Sequence, residues 1–128
     1  MKYSLIAVLL FVTNSVFAGE AAKGEWNDTT LNEETIKQIQ QGQYNYKKCV
    51  VDEMRKPEFS KMESRGATDT IIKQCEPTLA EMRSVYVSAG VPGQVADRHL
   101  KSLRIKVTRN LLQELMYAEA AKKAGQSK

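Results

Sequence analysis

Histidine occurs once in these 128 residues, as His99, and cysteine twice, as Cys49 and Cys75. One histidine cannot build a histidine-rich metal site, and no cysteine neighbours it in the sequence. The C-x-x-C-H motif is absent, which excludes haem attached covalently in the c-type manner. No G-x-S-x-G elbow presents a nucleophilic serine, and no glycine-rich loop is spaced to cradle a phosphate. Gly90-Val91-Pro92-Gly93 is a turn instead. Carboxylates are plentiful but sit in helix-surface contexts such as Glu33-Glu34 and Asp52-Glu53, and paired acids in a first turn serve the helix dipole. Aromatic residues make up only 7% of the chain and do not alternate with basic ones, so single-stranded nucleic acid is poorly matched. These absences point to a non-enzymatic protein with no metal or other cofactor.

Long apolar runs are equally scarce. The continuous one, Leu5 to Val12, is about half the ~20 residues that a bilayer span requires. Lys2 precedes it, and Val16-Phe17-Ala18 comes after it with small or branched residues where a signal peptidase reads. Residues 1–18 are therefore expected to be a signal peptide cleaved after Ala18, and the protein to be periplasmic or secreted. No cysteine comes directly after the cleavage site to carry a lipid, and no second long apolar run provides a membrane span for the mature chain. Residues 19–128 suit a single domain. Loss of Lys2 lowers the formal charge by one from +4, leaving a mildly basic chain without a nucleic-acid footprint. In an exported chain two cysteines read as a disulfide, and Cys49 and Cys75 allow only one intramolecular pairing. Free buried thiols or a metal pair are the rivals; no C-x-x-C spacing favours the metal.

What is present is helical periodicity. Residues 19–29, with Trp26, form a flexible lead-in. The helical domain spans 30–124, opened by a capping box of Thr30 with Glu33. Ile36, Ile39, Gln43, Tyr46, Val50 and Met54 recur at helical spacing, with Cys49 on the same face. Lys56-Pro57 ends this helix. A second helix is predicted from Thr68, with the stripe Ile72, Cys75, Leu79, Met82, Tyr86 and Ala89. Pro77 inside it either kinks the helix or starts a new one. After Gly90, a long helix from about Val95 to Lys122 carries Ala96, Leu100, Leu103, Val107, Leu111 and Ala118 on its main face. Residues 125–128 form a disordered tail. The predicted fold is all-α, a small three- or four-helix bundle stapled by one disulfide.

The long helix carries two further features, of which only the second exceeds the needs of such a bundle. Arg98, Lys101, Arg104, Lys106 and Arg109 cluster on the long helix, either as a solvated face or as a surface for an acidic partner. Ile105, Leu112 and Met116 form a second apolar row, nearly opposite Leu100, Val107 and Leu111 at 100° per residue. Such a row is either covered within the chain or open to another one. The sequence thus favours an exported helical protein acting by protein–protein contact, with a second copy or another envelope protein as partner. Ile105, Leu112 and Met116 would make the contact, rimmed by Arg98, Lys101 and Arg109. A periplasmic carrier of haem or a small ligand through His99 is the rival from another class, with Met54 and Met82 read as core filling rather than as ligands. An envelope stress chaperone is a third. Intact-mass analysis of exported protein is expected to give an N-terminus at Gly19; a retained Met1 would contradict export by cleavage.

Overall fold

Four helices and one short 3-10 turn account for nearly all of the chain that the computed structural model describes, residues 31–126. The expected signal peptide, the lead-in, Thr30 and residues 127–128 lie outside the described residues. Helix α1 spans Glu33–Met54 and is capped by Asn32, whose Oδ1 accepts a hydrogen bond from the Thr35 backbone N–H at 2.7 Å. Glu33 and Glu34 occupy its first turn, where negative charge meets the positive end of the helix dipole. The cap is therefore Asn32, closer to the helix than the expected Thr30. Ile39, Tyr46 and Val50 are buried, while Ile36 is exposed, so the apolar stripe begins later than its periodicity predicts.

Proline and carboxylate chemistry divides the middle of the chain. Pro57 opens a 3-10 turn over Pro57–Lys61 that buries Phe59. Helix α2, Ser64–Gln74, begins earlier than the predicted Thr68, because the Glu63 carboxylate accepts from the Arg65 and Gly66 N–H groups, both at 3.0 Å. Thr68 is instead interior, its hydroxyl donating to the Ser64 carbonyl at 2.7 Å. Pro77 falls in the first turn of a new helix, α3, Glu76–Ser88, where its missing N–H costs nothing. Cys75 is the joint, ending α2 and preceding α3. Gly90, at φ 90°, ends α3: its N–H reaches the Val87 carbonyl and that of Val91 reaches Tyr86, both at 3.0 Å. Helix α4 runs from Gly93 to Gln126, beyond both predicted ends and through Gly125.

The helices form three rods. α2 and α3 together make one rod lying against α4, and α3 also packs closely on α1. Ser64 at the start of α2 donates to Glu119 near the end of α4, while Arg83 of α3 pairs with Asp97 near the start of α4. The middle rod is thus antiparallel to α4. The start of α1, at Leu31 to Thr35, meets the end of α3 at Val85 to Ala89, so α1 and α4 run parallel. Of the two predicted versions the structure is the four-helix one, with Pro77 in the first turn of a new helix and the four helices arranged as three rods. The core joins Tyr46 and Val50 of α1, Ile71 of α2, Leu79, Met82 and Tyr86 of α3, and Leu100, Val107 and Leu111 of α4. Gly42 lets α1 approach α3, since a Cβ there would stand 2.5 Å from Met82 Cγ.

Cys49 and Cys75 have sulfurs 2.07 Å and Cα atoms 5.9 Å apart, the geometry of a disulfide. Cys75 is completely buried and Cys49 half-buried. The bond joins α1 to the α2–α3 joint across a sequence separation of 26 residues. In the chain-entropy model, closing such a loop contributes roughly 3–4 kcal/mol, a large share of the net stability of a small domain. Reduction is expected to lower the melting temperature by well over ten degrees, and non-reducing mass spectrometry to show a protein two protons lighter than the dithiol. Two freely alkylatable thiols in exported protein would contradict the bond.

Candidate functional site

The outer face of α4 is decided by what its inner face must bury. Val95, Ala96, Leu100, Val107 and Leu111 are buried against the other two rods. At 100° per residue this leaves Ile105, Leu112 and Met116 facing away, and Ile105 and Met116 are 40% and 54% exposed. Leu112 is half-buried. Ala118, predicted on the inner stripe, is exposed, whereas Leu115 packs against the core. The described residues therefore leave the second apolar row largely uncovered.

The five clustered basic residues of α4, Arg98 to Arg109, separate into three groups. Arg104 pairs with Glu76 of α3. Lys106 turns to the opposite flank, into the cleft beside α1. Arg98, Lys101 and Arg109 are exposed and share the arc of the outer apolar row, and among the described residues none of these three forms an ion pair.

The cleft between the parallel helices α1 and α4 was not anticipated from the sequence. Its upper part, about 250 Å³, is lined by Val50, Val51 and Met54 of α1 and by Val107 and Leu111 of α4, with Asn110 and Glu114 on the rim. Its lower part, about 300 Å³, is more polar: Gln43, His99 and Ser102 stand above Met82, Tyr86 and Leu103. Lys47 and Lys106 line both parts, one on each wall.

His99 is exposed, and its ring meets that of Tyr86 edge-on at 5.8 Å and 86°. Burial raises the Tyr86 hydroxyl above its usual pKa. Met82 lines the same cleft as His99 but is buried, its thioether packed towards Gly42, as core filling requires. Met54 is half-buried against the core. Among the described residues, no group of three or more His, Cys, Asp or Glu side chains is placed to hold a metal ion. Also among them, no helix is long and apolar enough to cross a membrane.

A second cleft lies between α3 and α4, and two ion pairs border it: Arg83 Nε with Asp97 Oδ1 at 2.7 Å, and Arg104 with Glu76. The Arg83 hydrogen bond holds the Asp97 carboxyl below its usual pKa. Compared with protein-family models, curated proteins and solved structures, the chain matches none. The fold and side chains define a small, all-α bundle with one disulfide, and the functional reading rests on its surfaces.

A depressed carboxylate pKa stabilises the fold above the unfolded-state value, and that contribution is lost as pH falls through the folded value. Asp97→Asn is therefore expected to melt slightly below the parent at neutral pH. The gap should close below about pH 4, near the ordinary aspartate pKa, and narrow in high salt because the pair is exposed. Circular dichroism melts across that range measure it; a gap independent of pH would show that the pair contributes nothing.

Proposed function

We propose that this is an exported, non-enzymatic helical protein of the bacterial envelope or its surroundings, which acts by contact with another protein chain. The observation that carries the proposal is the largely uncovered row Ile105, Leu112 and Met116 on α4, opposite the face that the core already uses. A single surface helix needs one apolar stripe, and a second favours contact with another chain. Arg98, Lys101 and Arg109, exposed beside the row and without ion pairs among the described residues, supply a basic rim suited to an acidic counterpart. Rim charges of this kind steer and orient encounter more than they strengthen it. The partner is a second copy or an envelope protein. Export is supported by the leader-like sequence at 1–18 and by the disulfide geometry, which suits an oxidising compartment.

Because Ile105 and Met116 are the more exposed members, the paired substitution Ile105→Glu with Met116→Glu tests the contact most cleanly. Self-association by light scattering, or capture from envelope extract, is expected to fall at least tenfold while the melting temperature changes little. Leu112→Glu should act in the same direction, with a larger loss of stability because the side chain is half-buried. A melt that collapses by about 3–5 kcal/mol in the paired variant, without specific loss of association, would make the row structural and overturn the proposal.

A further inference from the structure

Counting along the outer face of α4 gives alternating steps of four and three: Arg98, Ser102, Ile105, Arg109, Leu112 and Met116. All are exposed except Leu112, which is half-buried. Such steps average about 3.5 residues, the spacing that keeps one face of a helix against a second helix coiled around it. From Arg98 to Met116 this seam is about 27 Å long, room for about five turns of a partner helix. Its flanks are the positions at which paired helices select one another by charge. His99 and Lys106 stand on the flank towards α1, Lys101 and Lys122 on the flank towards the middle rod. Continued beyond Met116, the seam reaches Glu119 and Lys123, which pair with each other, and Glu119 also accepts from Ser64. Neither flank contributes a carboxylate. The seam is therefore apolar at its centre and basic around it.

Building on the contact reading of the outer row, we propose that the occupant of this seam is an α-helix of a different protein, apolar at heptad spacing and acidic on both flanks. A second copy of the chain is the wrong partner, because either orientation brings like charges together. In a parallel pair, Arg109 meets Arg109, and Lys101 of one copy lies beside Lys106 of the other. In the antiparallel register that stacks Ile105 on Met116, Arg98 meets Lys123 and Lys101 lies beside Lys122. An acidic helix reverses the sign of every one of these encounters. Ile105, Leu112 and Met116 supply the apolar contact, while Lys101 and Lys106, one on each flank, select the charge of the partner. Arg109 stands between Ile105 and Leu112 within the seam itself, where a charged group fixes register by requiring a carboxylate opposite.

The probe is a designed three-heptad peptide with Leu and Ile at its core positions and Glu on its flanks. Isothermal titration into the disulfide-bonded protein is expected to show saturable binding of one peptide per chain. A twin with Lys on the flanks, and an acidic twin of the same composition with the heptads scrambled, should each bind at least tenfold more weakly. The triple variant Lys101→Glu, Lys106→Glu, Arg109→Glu, altered only at exposed positions, should exchange the preference and take the Lys-flanked peptide at least tenfold better than the acidic one. Ile105→Glu with Met116→Glu should weaken acidic-peptide binding at least tenfold with an unchanged circular dichroism spectrum. Absence of saturable binding, equal affinity for the acidic and scrambled peptides, or no exchange of preference in the triple variant would overturn the assignment. A parent dimer that Ile105→Glu with Met116→Glu converts to monomer would give the seam to a second copy: the acidic helix would then be wrong and contact with another chain right. Preferential binding to anionic phospholipid vesicles over the acidic peptide would overturn both, as would a paired glutamate variant that no longer folds.

Discussion

Cys75 sits where three constraints meet. Its backbone closes α2 through the N–H bond to Ile71 and leads directly into α3, its side chain is completely buried, and its sulfur is joined to Cys49 of α1. Pro77, two positions on, cannot donate to the preceding turn, so a continuous helix across the joint would lose a hydrogen bond and clash with the carbonyl four residues back. Breaking the helix at Cys75 removes that conflict, and the bond to α1 fixes where the break lies in the bundle. α2 can then lie on the distal half of α4 while α3 serves both α1 and the proximal half of α4.

This division explains why the two long helices are the less closely joined pair. α3 stands close to α1, with Gly42 against Met82, and also packs on α4. The middle rod thus holds α1 and α4 at a distance, and a cleft remains along their shared flank. Its floor includes Met82 and Tyr86, side chains already fixed by packing between rods. A cleft bounded by rigid, packed helices is pre-formed, which limits the ordering cost of filling it.

α4 outlasts its neighbours because it must span both members of the broken rod. At 1.5 Å per residue its 34 residues extend about 50 Å. A helix of that length against a three-rod bundle buries one stripe and exposes the rest, so its outer face can carry sequence chosen for solvent or for another chain. Arg104 is the one basic residue of the cluster drawn into an ion pair with the middle rod; the others stay available on the two flanks.

Periodicity by itself determined the all-helical class and most of the core: Tyr46, Val50, Leu79, Met82, Tyr86, Leu100, Val107 and Leu111 recur at intervals of three or four because one helix face must leave water. The turn at Gly90 and the pairing of Cys49 with Cys75 were legible for equally local reasons, a left-handed residue at a helix end and an even cysteine count in a chain expected to be exported. The caps were less legible, since Asn32 and Glu63 compete with nearby residues of similar propensity and the winner depends on where the chain enters the bundle. Pro77 allowed a kink or a break, and the choice was made by the burial of Cys75 and its bond to another helix. Phe59 lay in a polar stretch with no period to mark it, yet it is buried. Residues 105, 112 and 116 were visible as a row, but only the arrangement of the other helices left it uncovered. The α1–α4 cleft had no sequence signature, because a gap between helices is a property of how rods are spaced, and spacing is set by contacts remote from the residues that line it.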